Sequence, residues 1–126
     1  MNGKSFIVSR SSFGFEGLNV YQESLVFVDF IYTLTTTWPK TETFGLMDQI
    51  KRASVSITLN IAEGSSRTKK DFKHFLTLSR GSCYECYAIL QIAYKRNYIT
   101  GENLAIASEY CNKIARMLSA LKSSIN

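Results

Sequence analysis

Apolar residues recur every three or four positions over four long segments of this chain, which is the spacing of one face of an α-helix. The first segment has two such stripes on different sides, one beginning at Leu18 and the other at Val20. The last segment is the most regular, running from Leu104 to Ile125 without a break. The pattern therefore predicts helices over about residues 17–37, 42–64, 69–96 and 101–124.

Threonine and proline predict where these helices begin and end. Trp38-Pro39 should end the first helix, because the residue before a proline is pushed out of the helical region. Thr41, Thr68 and Thr100 are predicted to cap the second, third and fourth helices, since a threonine hydroxyl accepts a hydrogen bond from the first helical turn.

Four long helices with short links predict an all-α, antiparallel up-and-down four-helix bundle. Residues 1–16 show no sustained period, and we expect an irregular N-terminal arm there. The first helix is apolar on more sides than one bundle core can cover. This excess predicts a second covering surface, and therefore a homo-oligomer.

Composition adds that the chain should be a cytoplasmic globular protein with reduced cysteines. Its 126 residues are 45% hydrophobic and 20% charged, which fits one domain. The longest uncharged runs, residues 30–39 and 53–62, fall short of the roughly 20 apolar residues that cross a bilayer. The apolar run between Lys4 and Arg10 is too short for a signal peptide. Three cysteines are an odd number, so a disulfide framework is not expected.

The net charge of +5 is concentrated on one segment. Residues 68–96 carry six basic and two acidic side chains, whereas the rest of the chain is close to neutral. Lys69, Lys73 and Arg80 should project within about 40° of one another on the third helix. Such a surface binds phosphate backbones with little reading of the bases, although a protein partner or plain solvation would also account for it. The candidate nucleic-acid-binding residues are Lys51, Arg52, Arg67, Lys69, Lys70, Lys73 and Arg80.

A row of polar residues follows another face of the second helix. The row and one glutamate of the third helix are predicted to form a structural polar network of Arg52, Ser56, Asn60, Glu63 and Glu85. The alternative is that Glu63 and Glu85 pair across helices as an acid and a base. We favour the structural network, because buried polar groups are normally hydrogen-bonded.

Other residues with catalytic or metal-binding chemistry have a plain packing or surface interpretation. His74 is the only histidine and falls opposite the apolar face, so neither a catalytic triad nor a di-metal site can be assembled around it. Cys83 and Cys86 spell C-x-x-C, but both lie on the apolar stripe, where free cysteine packs as a small hydrophobe. No glycine-rich phosphate loop occurs. We expect no enzymatic activity, no cofactor and no metal.

Residues 44–64 carry a longer and more specific motif. They read Phe-Gly-Leu-Met-Asp-Gln-Ile-Lys-Arg-Ala-Ser-Val-Ser-Ile-Thr-Leu-Asn-Ile-Ala-Glu-Gly. This segment resembles the signature of the four-helix-bundle proteins encoded in 23S ribosomal RNA intervening sequences. Residues 18–22, Trp38-Pro39 and residues 71–85 agree with the same family, and the likeness covers about residues 17–122. Thr58 departs from it, because the family commonly has proline at this position.

The resemblance implies a homopentamer of bundles and a role with nucleic acid, and it does not imply a structural ribosomal protein. The accessory proteins of diversity-generating retroelements are similar in fold, and they bind a reverse transcriptase and its template RNA. We therefore expect a non-enzymatic homo-oligomer that binds RNA or DNA through its basic surface. The alternative is a protein-interaction scaffold or accessory subunit for a polymerase-like partner.

Overall fold

Four long helices account for most of residues 13–126, the part of the chain that the computed structural model describes. They are α1 (Asn19–Leu34), α2 (Leu46–Ser65), α3 (Lys69–Lys95) and α4 (Gly101–Ser124). Short 3-10 turns span Gly14–Gly17, Thr35–Thr37 and Lys40–Glu42, and these 114 residues contain no β-strand. The fold is an all-α four-helix bundle, as the apolar periodicity predicts. Most of the predicted arm, residues 1–12, lies outside the described residues.

The start of α2 corrects the sequence-based assignment. The helix begins at Leu46 rather than at residue 42, and Thr41 does not cap it. Residues 40–42 instead form their own turn after Pro39. The Glu42 carboxylate then caps α2, because it accepts hydrogen bonds from the Leu46 backbone N–H (3.0 Å) and from the Tyr98 hydroxyl (2.8 Å). These two bonds hold the pKa of Glu42 below its usual value.

The end of α1 also comes earlier than residue 37. The helix stops at Leu34, and a run of three threonines continues as a 3-10 turn. The Thr35 hydroxyl donates to the Ile31 carbonyl at 3.0 Å. Threonine disfavours a helix interior, because its branched side chain is restricted and its hydroxyl competes for backbone partners.

Buried hydroxyl groups fix the register between neighbouring helices. Ser79 donates to the Ile57 carbonyl at 2.8 Å, and Ser82 donates to the Ser56 hydroxyl at 3.0 Å, so α2 and α3 run antiparallel. Between α1 and α2 the Thr58 hydroxyl donates to the Ser24 hydroxyl at 2.9 Å. Thr58, the position that departs from the resemblance described above, thus makes a buried inter-helix hydrogen bond.

A second apolar surface remains uncovered on the outside of α1 and α2. Leu25, Val26, Tyr32 and Leu59 are between 41% and 60% exposed. Leu25 and Tyr32 are seven residues apart and share one side of α1. Thr58 of α2 and Ser24 of α1 are hydrogen-bonded to each other, and Leu59 and Leu25 are the residues that follow them in the sequence. We call these four exposed residues the α1–α2 seam; Leu25 and Tyr32 belong to the first of the two stripes predicted on the first helix.

None of the helices within residues 13–126 is long and apolar enough to span a membrane.

Candidate nucleic-acid interface

Basic side chains from two helices meet in the groove between α3 and α4. Lys73 and Arg80 of α3 and Lys122 of α4 line a cleft of about 450 Å³. The Lys122 ammonium donates to the Thr77 hydroxyl at 2.8 Å, which bridges the two helices. We call this site the basic cleft; its lining is Lys73, Leu76, Thr77, Arg80, Leu118, Ser119, Lys122 and Ser123.

The basic cleft carries a surplus of positive charge and hydroxyl donors. Of its eight lining residues, three are cationic, three have hydroxyl groups and none is acidic. Within residues 13–126, Lys73, Arg80 and Lys122 form no ion pair with a carboxylate. Cations that are not paired with a carboxylate are available to bind an anion, and hydroxyl groups add hydrogen-bond donors for its oxygens.

Helix geometry explains why these residues converge. Lys69, Lys73 and Arg80 lie within about 40° of one another on α3. Because α3 and α4 are antiparallel neighbours, the last turn of α4 lies beside the first half of α3. Lys122 is in that last turn, and sequence reasoning missed it because the fourth segment carries little net charge. The signal that points to it is the antiparallel order of two consecutive helices.

A second cleft continues the same groove. It has a volume of about 300 Å³, and α3 contributes Tyr84 and Tyr87 while α4 contributes Ser108 and Asn112. We call it the aromatic cleft; its lining is Cys83, Tyr84, Tyr87, Ser108, Cys111, Asn112 and Ala115. Arg80 connects the two clefts, since its guanidinium donates to the Tyr84 hydroxyl at 2.9 Å. No aromatic residue was among the sequence-based candidates.

Three of the seven predicted nucleic-acid-binding residues have other partners. Arg52 forms an ion pair with Asp48 at 2.9 Å, and Arg67 forms one with Glu63 at 2.6 Å. The Lys51 ammonium lies 4.9 Å from the centre of the Tyr32 ring, on the α1 side of α2. The structure therefore does not bring Lys51, Arg52 and Arg67 into the basic cleft.

Lys69 and Lys70 are exposed at the start of α3 and extend the basic surface beyond the cleft. Lys69 lies one turn before Lys73 on the same side of the helix, whereas Lys70 is turned by about 100°. Neither forms an ion pair with the described residues 13–126. Four of the predicted residues thus form one surface together with Lys122.

The predicted polar network is only partly present. Asn60 donates to the Ser56 hydroxyl at 3.0 Å, and Ser82 joins the same hydroxyl from α3. Arg52 and Glu63 are exposed and pair with residues four positions away along the chain, Arg52 with Asp48 on α2 and Glu63 with Arg67 just after the end of α2. They do so because a partner four residues away along a helix or at its end is closer than one on a neighbouring helix.

Glu85 is also outside that network. It is exposed on α3, about 15 Å along the axis from the position opposite Glu63. The two carboxylates therefore do not form an acid–base pair in the bundle. Neither of them lines the basic cleft or the aromatic cleft.

The cysteines and the histidine have the environments expected from the helical pattern. Cys83, Cys86 and Cys111 are free and buried. Burial raises the pKa of Cys83 and of Cys111 to about 12, and it raises the pKa of Cys86 as well. His74 is exposed. No group of three or more histidine, cysteine, aspartate or glutamate side chains in residues 13–126 is placed to hold a metal ion.

A solved structure that superposes on this bundle supports the fold alone. It is the crystal structure of a protein of unknown function from the S23 ribosomal protein family of Bacteroides thetaiotaomicron, with a TM-score of 0.75 at 22% sequence identity. The match covers 83% of this chain and 96% of that chain. No curated protein matches this chain significantly.

A family model described as "23S rRNA-intervening sequence protein" matches residues 16–120. This range includes all of α1, α2 and α3 and most of α4. The chain therefore belongs to the family of 23S rRNA-intervening sequence proteins.

Proposed function

We propose that the protein is a non-enzymatic, cytoplasmic homo-oligomer that binds the phosphate backbone of RNA or DNA in the basic cleft. The observation that carries the proposal is the convergence of Lys73, Arg80 and Lys122 from two helices without a carboxylate in the lining of the cleft. A surface that needed charge only for solubility would have no reason to gather three cations in one concave site.

Phosphate binding accounts for the side chains that accompany the cations. Thr77, Ser119 and Ser123 supply hydroxyl donors to phosphate oxygens, as hydroxyl side chains do in many nucleic-acid complexes. Lysine and arginine that neutralise phosphates release condensed counterions, and this release drives binding without regard to sequence. The proposed activity is therefore backbone binding rather than sequence recognition.

Self-association would strengthen this binding. The α1–α2 seam exposes apolar side chains that a second copy would cover, and the family resemblance implies five copies. The seam belongs to one helix pair and the basic cleft to the other pair. Assembly through the seam therefore leaves each cleft open, and several clefts on one particle raise the overall affinity for a long strand.

Charge reversal in the cleft tests the proposed function. Lys73→Glu is expected to weaken binding of a fluorescently labelled oligonucleotide on the order of tenfold for every sequence tried, because one phosphate contact becomes repulsive. Fluorescence anisotropy at low salt measures the affinity.

Lys95→Glu is the matched control, since it changes the net charge equally on the same helix but lies outside the cleft. Equal losses of affinity in the two variants would mean that the effect comes from the net charge of the protein and not from the cleft. An absence of binding to the unmodified protein at low salt would reject the function.

The alternative function is a protein-interaction scaffold or an accessory subunit for a polymerase-like partner. In that case the exposed apolar residues of the α1–α2 seam would contact the partner instead of a second copy. It predicts that a partner co-purifies after nuclease treatment and is lost in Leu25→Glu but retained in Lys73→Glu. The same pull-down therefore separates the two functions.

A further inference from the structure

Tyr84 occupies an unusual place for a large aromatic side chain. It is 60% exposed and lies where the basic and aromatic clefts meet. On α3 it falls within about 60° of Lys69, Lys73 and Arg80, so the same side of the helix carries the ring and the cations. The Arg80 guanidinium carbon lies 4.9 Å from the centre of the ring, close enough for a cation–π contact.

The aromatic cleft beyond Tyr84 has the lining of a small planar ligand site. Its volume of about 300 Å³ is at the lower end of the range for small-molecule sites. Tyr87 adds a second ring, and Asn112 and Ser108 add side chains that both donate and accept hydrogen bonds. The tyrosine rings can stack on the face of a nucleobase, and the polar side chains can hydrogen-bond to its edge. A phosphate group, in contrast, cannot stack on an aromatic ring.

The two clefts follow each other at a spacing that suits one strand. Arg80 and Tyr84 are one helical turn apart, about 6 Å along the axis. A strand whose phosphate contacts Arg80 can therefore place a neighbouring base on Tyr84. In a duplex the bases are stacked and paired inside the helix, so only an unpaired strand can present a base to this ring.

We propose that the groove between α3 and α4 binds single-stranded nucleic acid, with phosphates in the basic cleft and one base stacked on Tyr84 and inserted into the aromatic cleft. This inference rests on the proposed function and adds to it a preference for unpaired strands. The contacts are to base faces, and so the preference among sequences is small.

Abasic strands separate base stacking from phosphate binding. The protein is titrated with a labelled single-stranded DNA, with an abasic strand of equal length and charge, and with the corresponding duplex; an RNA strand is measured in parallel. The base-bearing strands are expected to bind about fivefold or more tightly than the abasic strand, the range expected for stacking of one base. The duplex should bind less tightly than the base-bearing single strand, because its paired bases cannot stack on Tyr84.

Three variants assign the stacking to Tyr84. Tyr84→Ala should bind the base-bearing and abasic strands equally, while its affinity for the abasic strand stays at the unmodified level. Tyr84→Phe keeps the ring and should keep the preference. Tyr94→Ala is the control, because Tyr94 is another exposed tyrosine of α3 that lines neither cleft. Thermal melting of each variant shows that the bundle is intact.

The failures of the inference and of the proposed function are distinguishable. Equal, salt-dependent affinity of the unmodified protein for base-bearing and abasic strands would overturn the stacking inference and leave backbone binding in place. Tighter binding of the duplex than of the base-bearing single strand would also overturn it. So would a loss of affinity in Tyr94→Ala equal to the loss in Tyr84→Ala. Binding of neither strand at low salt would overturn both proposals.

Discussion

Burial determines the reactivity of the three cysteine thiols. Cys83 and Cys86 are at most 1% exposed, and Cys111 is 6% exposed. Burial disfavours the thiolate, which is the nucleophilic form, and the neighbouring thiols disfavour it further at Cys83 and Cys86. The C-x-x-C spacing in this chain therefore does not produce a reactive pair.

We predict that the folded protein resists a thiol reagent such as DTNB at pH 8. The pKa values of Cys83 and Cys111, raised to about 12, leave almost no thiolate at that pH, and reaction requires unfolding. Absorbance should report no rapid modification in buffer and three thiols per chain in denaturant.

Ser119→Cys provides the positive control, since Ser119 is exposed in the basic cleft and a thiol there should react at once. Rapid modification of the unmodified folded protein would contradict the burial of the three thiols.

At the residue scale the sequence predicts burial better than it predicts partners. The three-four spacing places Cys83 and Cys86 in the core because it depends only on helix geometry. It does not show that Arg52 pairs with Asp48 or that Glu63 pairs with Arg67, since exposed side chains choose among several neighbours of similar energy. For this reason only the Ser56 and Asn60 part of the predicted five-residue network is present.

At the scale of elements, α2 and α3 pack closely against each other at Gly64. A methyl group at this position would lie 2.5 Å from Phe75 Cβ and 3.0 Å from Phe72 Cδ1. Both neighbours belong to the first turns of α3. Glycine is therefore required here by the neighbouring helix, although it is a poor helix former.

We predict that Gly64→Ala destabilises the protein by about 1–3 kcal/mol, because the added methyl group overpacks the α2–α3 contact. Urea denaturation followed by circular dichroism measures the change. Gly81→Ala is the matched control, since Gly81 is exposed in the middle of α3 and a methyl group there meets nothing within 4 Å.

The control should be more stable than the unmodified protein by about 0.5–1 kcal/mol, the helix propensity gained. Stabilisation by Gly64→Ala would contradict the close approach.

The presence of the four helices was predictable from the sequence, whereas their ends depended on which side chain caps each first turn. The Thr68 and Thr100 hydroxyls accept hydrogen bonds from the first turns of α3 and α4. At α2 the cap is Glu42, four residues before Leu46. A carboxylate reaching from a preceding turn leaves no simple sequence signal, and this explains the wrong start of α2.

At the scale of the whole molecule, the bundle has two distinct candidate surfaces. The α1–α2 seam exposes apolar side chains, and the α3–α4 groove exposes cations and Tyr84. Leu25 and Tyr32 of the seam could be anticipated from the first stripe of the first helix. The groove could not, because Lys122 and Lys73 meet only through the register of α4 against α3, which no local pattern encodes.

We predict a particle heavier than the 14.3 kDa chain, close to five copies if the family resemblance holds for its assembly. Light scattering coupled to size-exclusion chromatography measures the mass. Leu25→Glu combined with Leu59→Glu should shift it toward the monomer, because two charges would have to be buried in the contact.

Ile92→Glu, at an exposed apolar residue of α3, should leave the mass unchanged. A monomer of the unmodified protein at every concentration would contradict assembly through the seam.

The salt dependence of nucleic-acid binding tests the central claim most directly. For a single-stranded oligonucleotide that fills one basic cleft, the three cations Lys73, Arg80 and Lys122 predict a plot of log affinity against log salt with a slope of about −2. Lys122→Gln should reduce the steepness by about 0.7, the contribution of one phosphate contact. A slope near zero, or a slope that Lys122→Gln leaves unchanged, would contradict the account.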